Sequence, residues 1–386
     1  MLSLRRLLCG KPAASSVPPV LYTTENVQQT FTGHFGAVKL RRMLILNCER
    51  VSVFHDISLL LANQPFEITH YMYASQDVTH TVRALHAALP ILYSPNYSGF
   101  SYLLPSDPDH VVRGLMTSDL IACEYTGADF ALHQELIVFD SSYSGRSCML
   151  NGGLDALYAL LPSKESMQPV HVPAPGDDLL AYNGFCAELE KNHAVYRIKP
   201  DLGLEQIPVN LLEPAVRDAA PAEVLAFLGP LTDMFAKRQQ NVLTKSQPQY
   251  HVMKKNALAR FVQTGRTSDH LWCCRSFTME ERAQILIYLR DQLLALPNFH
   301  LYLLRDDDAL RDDEVILYDG IGLSLIKPGT DYGLEQSHTE ILITQKEFLN
   351  VYKRFFTESI LGYRVETEAV TRIFLDKLIS RCLTGE

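Results

Sequence analysis

The chain has 386 residues, 47% hydrophobic and 20% charged, which excludes an intrinsically disordered protein and is enough length for two or three domains. Its formal charge of −9 is uneven: residues 1–50 hold seven Lys or Arg against two Asp or Glu, and residues 51–386 hold 28 against 42. So acidic a body makes a poor surface for phosphate backbones, and direct DNA binding by this chain alone is not expected.

Residues 1–30 are rich in Pro, Ser and Thr without a sustained period and read as a tail or remnant linker. They are acid-free up to position 24, which fits a solvated tail or a mitochondrial transit peptide, while Lys11 interrupts the apolar start that a secretory signal needs. Helical patterning is read from Lys39 to Ala62, stopped by Asn63, Gln64 and Pro65. The alternating, aromatic-rich run Phe66–Tyr73 predicts a strand, and Asp77 caps a predicted helix through VTHTVRALHAALPIL, bent by Pro90. Strands are expected at Ile121–Tyr125 and His133–Phe139, then a short helix at Leu154–Leu161. The stretch 166–178, with three prolines and a glycine, reads as a linker.

Beyond it, 203–240 is mostly helical in pattern and 237–250 reads as a second, polar connection. Thr278 followed by acids starts a helix over 278–296. Strands follow at FHLYLL, EVILY and ILIT, with a further strand in GIGLSLI, and the lobe closes with the helix KEFLNVYKRFFTESIL. The expected organisation is a tail (1–30), a first α/β lobe (31–165), a linker and mostly helical connection (166–250) and a second α/β lobe (251–386). The fold class is α/β, with two similar lobes.

No apolar run nears the ~18 residues that span a bilayer, so no membrane segment is expected. The eight cysteines show no zinc-type spacing, and Cys273 beside Cys274 fits neither a redox motif nor a disulfide framework. Reduced thiols and a cytoplasmic location follow. No metal and no cofactor are expected: RDDDALRDDE (305–314) lacks the glycine and spacing of a calcium loop, and GIGLSLIKPG (320–329) lacks the third glycine of a dinucleotide fingerprint. No GxSxG or HExxH motif occurs.

The most informative segments are HQELIVFD (133–140) and HTEILITQ (338–345). Aligned without a gap, they share His133 with His338, Glu135 with Glu340, and an apolar strand; Asp140 stands where Gln345 does. Together they resemble a degenerate form of the phospholipase D signature, HxKxxxxD once per lobe. In that family one histidine attacks phosphorus, the other protonates the leaving oxygen, and the lysines hold the phosphate charge. The resemblance implies a duplicated fold with His133 and His338 facing a common cleft. Glu135 and Glu340 replace both lysines, and a carboxylate there repels phosphate. On a plainer reading, both histidines are satisfied polar groups at a sheet edge.

A second resemblance is vaguer. TGHFG (32–36), the early α/β lobe and the region from LYLLRD to KEFLNVYKRFF look like the effector portion of clostridial-type bacterial transcription regulators, although no helix-turn-helix domain precedes them here. The expectation is therefore a non-catalytic regulatory or ligand-sensing protein, with an unknown small molecule or protein as partner and a homodimer left open. The alternatives are a phospholipase D-type phosphodiesterase or nuclease using His133 and His338, and a structural interaction protein. No catalytic residue is assigned; the candidate ligand site takes His133, Glu135, Asp140, His338 and Glu340, with Tyr93, Asn96 and Tyr97 from the aromatic loop YSPNYSGFSY.

Overall fold

The computed structural model describes residues 20–22, 42–46, 67–73, 78–92, 100–103, 114–118, 122–125, 134–138, 166–167, 169–171, 177–199, 202–244, 247–267, 274–305, 314–326 and 339–385. The chain divides into two compact units, Met1–Pro169 and Val170–Glu386. Both are mixed α/β with an open sheet.

In the first unit, β1 (Val20–Tyr22), β2 (Arg42–Leu46) and β3 (Glu67–Tyr73) precede helix α1 (Val78–Leu92). Then come β4 (Phe100–Leu103), β5 (Gly114–Ser118), β6 (Ala122–Tyr125), β7 (Gln134–Val138) and β8 (Ser166–Met167). The sheet order is β1-β7-β6-β5-β2-β3-β4-β8. Helix α1 forms because Val78, Val82, Leu85, Leu89 and Leu92 recur at helical spacing and are all buried. Pro90 falls in its last turn. The helix expected from Lys39 is corrected at its start: Arg42–Leu46 is strand β2, with Ile45 fully buried between β3 and β5. A short apolar run buried in a sheet carries no period that separates it from a helix.

The second sheet takes in β9 (Pro169–His171), which starts on the last residue of the first unit, and α2 (Asp177–Asn192) and β10 (Val195–Lys199) follow. A 3-10 turn (Leu204–Gln206) leads to α3 (Val209–Arg217), α4 (Ala222–Leu225) and α5 (Leu228–Thr244). Next come β11 (Gln249–Lys254), α6 (Lys255–Thr264), α7 (Met279–Ala295), β12 (Phe299–Leu304), β13 (Glu314–Tyr318), β14 (Gly322–Ile326) and β15 (Thr339–Ile343). The chain continues through α8 (Lys346–Arg354), a π-helical segment (Phe355–Arg364) and α9 (Glu368–Thr384). The order in this sheet is β12-β11-β10-β13-β14-β15-β9.

Three expectations change here. Strand β10, expected inside a helical connection, is central in the second sheet, flanked by β11 and β13. The polar stretch 237–250 is not a connection: α5 runs on to Thr244 because Arg238 and Asn241 are buried against Glu190 and the Ala187 carbonyl. The helix 346–361 does not close the fold, since α9 follows with its own Thr367 cap. By contrast, the capping box at Thr278 and Glu281 starts α7 as read. Gly320, at φ +75°, turns the hairpin between β13 and β14.

The two sheets share a six-strand pattern. In the first, β4-β3-β2 run parallel, and β5, β6 and β7 are added antiparallel in turn. In the second, β12-β11-β10 run parallel, and β13, β14 and β15 are added the same way. The second unit's main core lies where α3, α5, α6, α7 and α9 meet the sheet, around Leu212, Phe235, Phe261, Phe277, Leu286, Leu301 and Leu375.

Candidate functional site

Ligands of open α/β sheets gather outside the carboxyl ends of the parallel strands. In the second unit that edge is set by Lys199, the last residue of β10, and Lys254, the last of β11. Strand β13 starts there with Glu314, which is paired across β14 with Ile326, and Ile326 is in turn paired with Glu340 of β15. Glu340 is the second residue of β15, which therefore starts at this edge. The first unit repeats the arrangement: β2 ends at Leu46 opposite Leu115, Gly114 pairs with Tyr125, and Tyr125 pairs with Gln134. Strand β7 starts at the equivalent edge, and Glu135, its second residue, lies opposite Glu124.

The glutamates of both H-x-E segments thus stand second in the same strand of the same pattern, at the carboxyl edge. Glu135 and Glu340 are placed by their strands. His133, Asp140, His338, Tyr93, Asn96 and Tyr97 lie outside the described residues, as does the expected common cleft.

The sequence reading missed a buried charge network beneath the edge of the second sheet. Arg197, in the middle of β10, is 2% exposed, yet its guanidinium meets Glu190 of α2 at 3.0 Å, Glu205 of the 3-10 turn at 2.9 Å and Glu314 at 3.6 Å. Lys199 Nζ lies 3.0 Å from Glu205 and 3.6 Å from Glu314. Arg238 of α5 closes on Glu190 with Nη2 donating at 2.6 Å and Nε at 3.0 Å. Three cations thus balance three carboxylates, which is what allows so many charges to be buried.

Burial alone would push Glu205 upward, but the charges of Lys199 and Arg197 outweigh it and hold the carboxyl well below the usual range. Glu190 is likewise pushed up by burial and held down by Arg238. Beside them His251 of β11 is lowered to about 3, by burial first and by the Arg197 charge second. Its Nδ1 accepts from Gln206 Nε2 at 3.1 Å, which leaves the proton of the neutral ring on Nε2. That Nε2 and the Tyr318 hydroxyl are buried without hydrogen-bond partners among the described residues. A signal for this network existed: VYRIK and QYHVMK place Arg197, Lys199 and His251 inside otherwise apolar strands, where a polar side chain needs a partner.

Gly203 permits the network, because a Cβ there would fall on Lys199 Nζ and the Glu205 carboxylate. Gly203→Ala is expected to cost about 1–3 kcal/mol. Gly229→Ala, where a Cβ meets nothing within 4 Å, is the control. A urea titration reads the contrast, and equal midpoints for the two variants would contradict it.

Among the described residues no helix is long and apolar enough to cross a membrane, and no group of three or more His, Cys, Asp or Glu is placed to hold a metal ion. No family model matches the chain, and no curated protein matches it. Among solved structures the chain is similar to phosphatidylserine synthase of Haemophilus influenzae Rd KW20. The likeness covers 91% of this chain and 89% of that one, at 11% identity and a TM-score of 0.32. The expectation of a non-catalytic effector portion of a transcription regulator is corrected by this finding, because the matched structure is a synthase and not a regulator. At that score the likeness carries neither substrate nor residue roles to this chain.

Proposed function

We propose that the chain is an enzyme of phosphodiester chemistry on a duplicated, phospholipase D-like α/β fold, with His133 and His338 as its reacting groups. The observation that supports this reading is the shared strand pattern, in which Glu135 and Glu340 are the second residues of equivalent strands that start at the carboxyl edge. An imidazole nitrogen of one histidine displaces the alcohol from phosphorus while the other gives its proton to the leaving oxygen. The second histidine, now neutral, takes a proton from water or an acceptor alcohol, whose oxygen displaces the first histidine and forms the new P–O bond.

Glu135 and Glu340 set the demand on the rest of this site. With carboxylates in place of lysines, phosphate charge has to be met by other cations. Lys254 ends β11 at that edge of the second sheet, whereas the charge of Lys199 is taken up by Glu205 and Glu314. The test is turnover of bis(p-nitrophenyl) phosphate by the purified full chain. His133→Ala and His338→Ala are each expected to lower the rate by about 10²-fold or more, as loss of an acid–base or nucleophilic group does. Glu135→Lys with Glu340→Lys is expected to raise kcat/KM for this anionic diester. Wild-type turnover no higher than that of the alanine variants would overturn the reading.

A further inference from the structure

The 3-10 turn that follows β10 brings a carboxylate to the carboxyl edge of the second sheet, the edge at which open α/β sheets hold their ligands. Glu205 Oε1 accepts from Arg197 Nη1 at 2.9 Å and from Lys199 Nζ at 3.0 Å, and its Oε2 accepts from Lys199 Nζ at 3.1 Å. An arginine and a lysine converging on one pair of anionic oxygens is also how proteins grip a phosphate. The two cations have more donors than this carboxylate meets. Arg197 is buried, and its Nε makes no hydrogen bond; the Glu314 oxygen beside it stands at 3.6 Å. A four-oxygen anion offers acceptors that a two-oxygen carboxylate does not.

Charge points the same way. Without Glu205, the described residues of the network leave three cations, Arg197, Lys199 and Arg238, against two carboxylates, Glu190 and Glu314. That excess is complementary to an anion. The turn has an anchor apart from Glu205: Gly203 N–H donates to Gln206 Oε1 at 3.0 Å, and Gln206 Nε2 donates to His251 Nδ1 at 3.1 Å. The Glu205 side chain can therefore swing away by rotation while the backbone of the turn stays on the sheet. We propose that Arg197 and Lys199 form a phosphate-binding site held by the chain's own Glu205, an autoinhibitory contact that a substrate's phosphate group displaces. The site rests on the phosphodiester chemistry proposed for this edge, and its test reads binding and not turnover, so either can fail alone.

Inorganic phosphate is the probe. Urea midpoints of the full chain are read by circular dichroism in sodium phosphate and in sodium chloride of equal ionic strength, so that screening is common to both. Phosphate also stabilises folds by exclusion from their surface, so the shift from chloride to phosphate is compared between variants. Glu205→Ala is expected to show a shift at least about threefold that of wild type, growing with phosphate concentration as a bound ligand requires. Glu188→Ala removes a carboxylate from an exposed pair with Lys237 and should shift as wild type does. Adding Lys199→Met to Glu205→Ala should abolish the gain. If Glu205→Ala is unfolded in chloride, it is expected to fold in phosphate. A Glu205→Ala chain that is unfolded in both salts overturns the site, as does a shift equal to that of wild type. A gain shared by Glu188→Ala, or one that survives Lys199→Met, overturns it too.

Discussion

Arg197→Met is expected to destabilise the second unit by about 3–5 kcal/mol, the usual cost of removing one partner from a buried ion pair. Arg197 serves Glu190, Glu205 and Glu314 together, so its loss leaves three carboxylates to Lys199 and Arg238. Methionine keeps much of the side chain's volume, and the cost is therefore electrostatic. The single tryptophan, Trp272, belongs to the second unit, and its fluorescence during urea unfolding reads the effect. Replacing Glu190, Glu205 and Glu314 by Gln together with Arg197→Met is expected to recover part of the loss, because it removes the uncompensated charge. A change below about 1 kcal/mol for Arg197→Met, the scale of a surface ion pair, would show that water reaches the network.

A drop from pH 7.5 to 5.0 is expected to weaken the second unit by about 2 kcal/mol through His251 alone, from 1.36 kcal/mol per pH unit below the unfolded pKa near 6.5. The sign follows from proton counts. In the fold His251 titrates at about 3, so between pH 6.5 and 3 the unfolded chain holds a proton that the folded chain does not. Stability is complete above pH 6.5 and falls as pH drops through this window. Glu190 and Glu205, held low, stay ionised at pH 5.0 and add their loss only at stronger acid. His251→Gln keeps an acceptor for Gln206 and should remove most of this pH dependence, as read by Trp272 fluorescence in urea at the two pH values. Burial likewise lowers His70 of β3 to about 3, so the first unit is expected to weaken over the same window.

Local elements with strong periods were legible in the sequence. Strand β3, helix α1, the capped start of α7 and strands β12 to β15 stand where patterning puts them, because a period of 2 or 3.6 and a cap are properties of neighbouring residues. Strand β2 was not legible, since RMLIL has too few residues to show a period and takes its state from β3 and β5. The repeated six-strand pattern was half legible: the gapless match of the H-x-E segments pointed to it, but parallel pairing of β2 with β3 and of β10 with β11 joins residues far apart in sequence. The buried network was hidden for the same reason. Glu190, Arg197, Glu205, Arg238 and Glu314 span 124 positions, and each alone reads as a surface charge. The resemblance to regulators was read from TGHFG, the early α/β lobe and the region from LYLLRD to KEFLNVYKRFF, and an α/β arrangement of this kind is one that many functions share.

The central claim is that His133 and His338 serve one reaction. Its most direct test is the double-mutant cycle on turnover of bis(p-nitrophenyl) phosphate, with wild type, His133→Ala, His338→Ala and the double variant compared in kcat. Residues that act as a unit are non-additive, so the double variant should be no slower than the slower single variant. Losses that multiply, or a double variant as fast as wild type, would contradict the account.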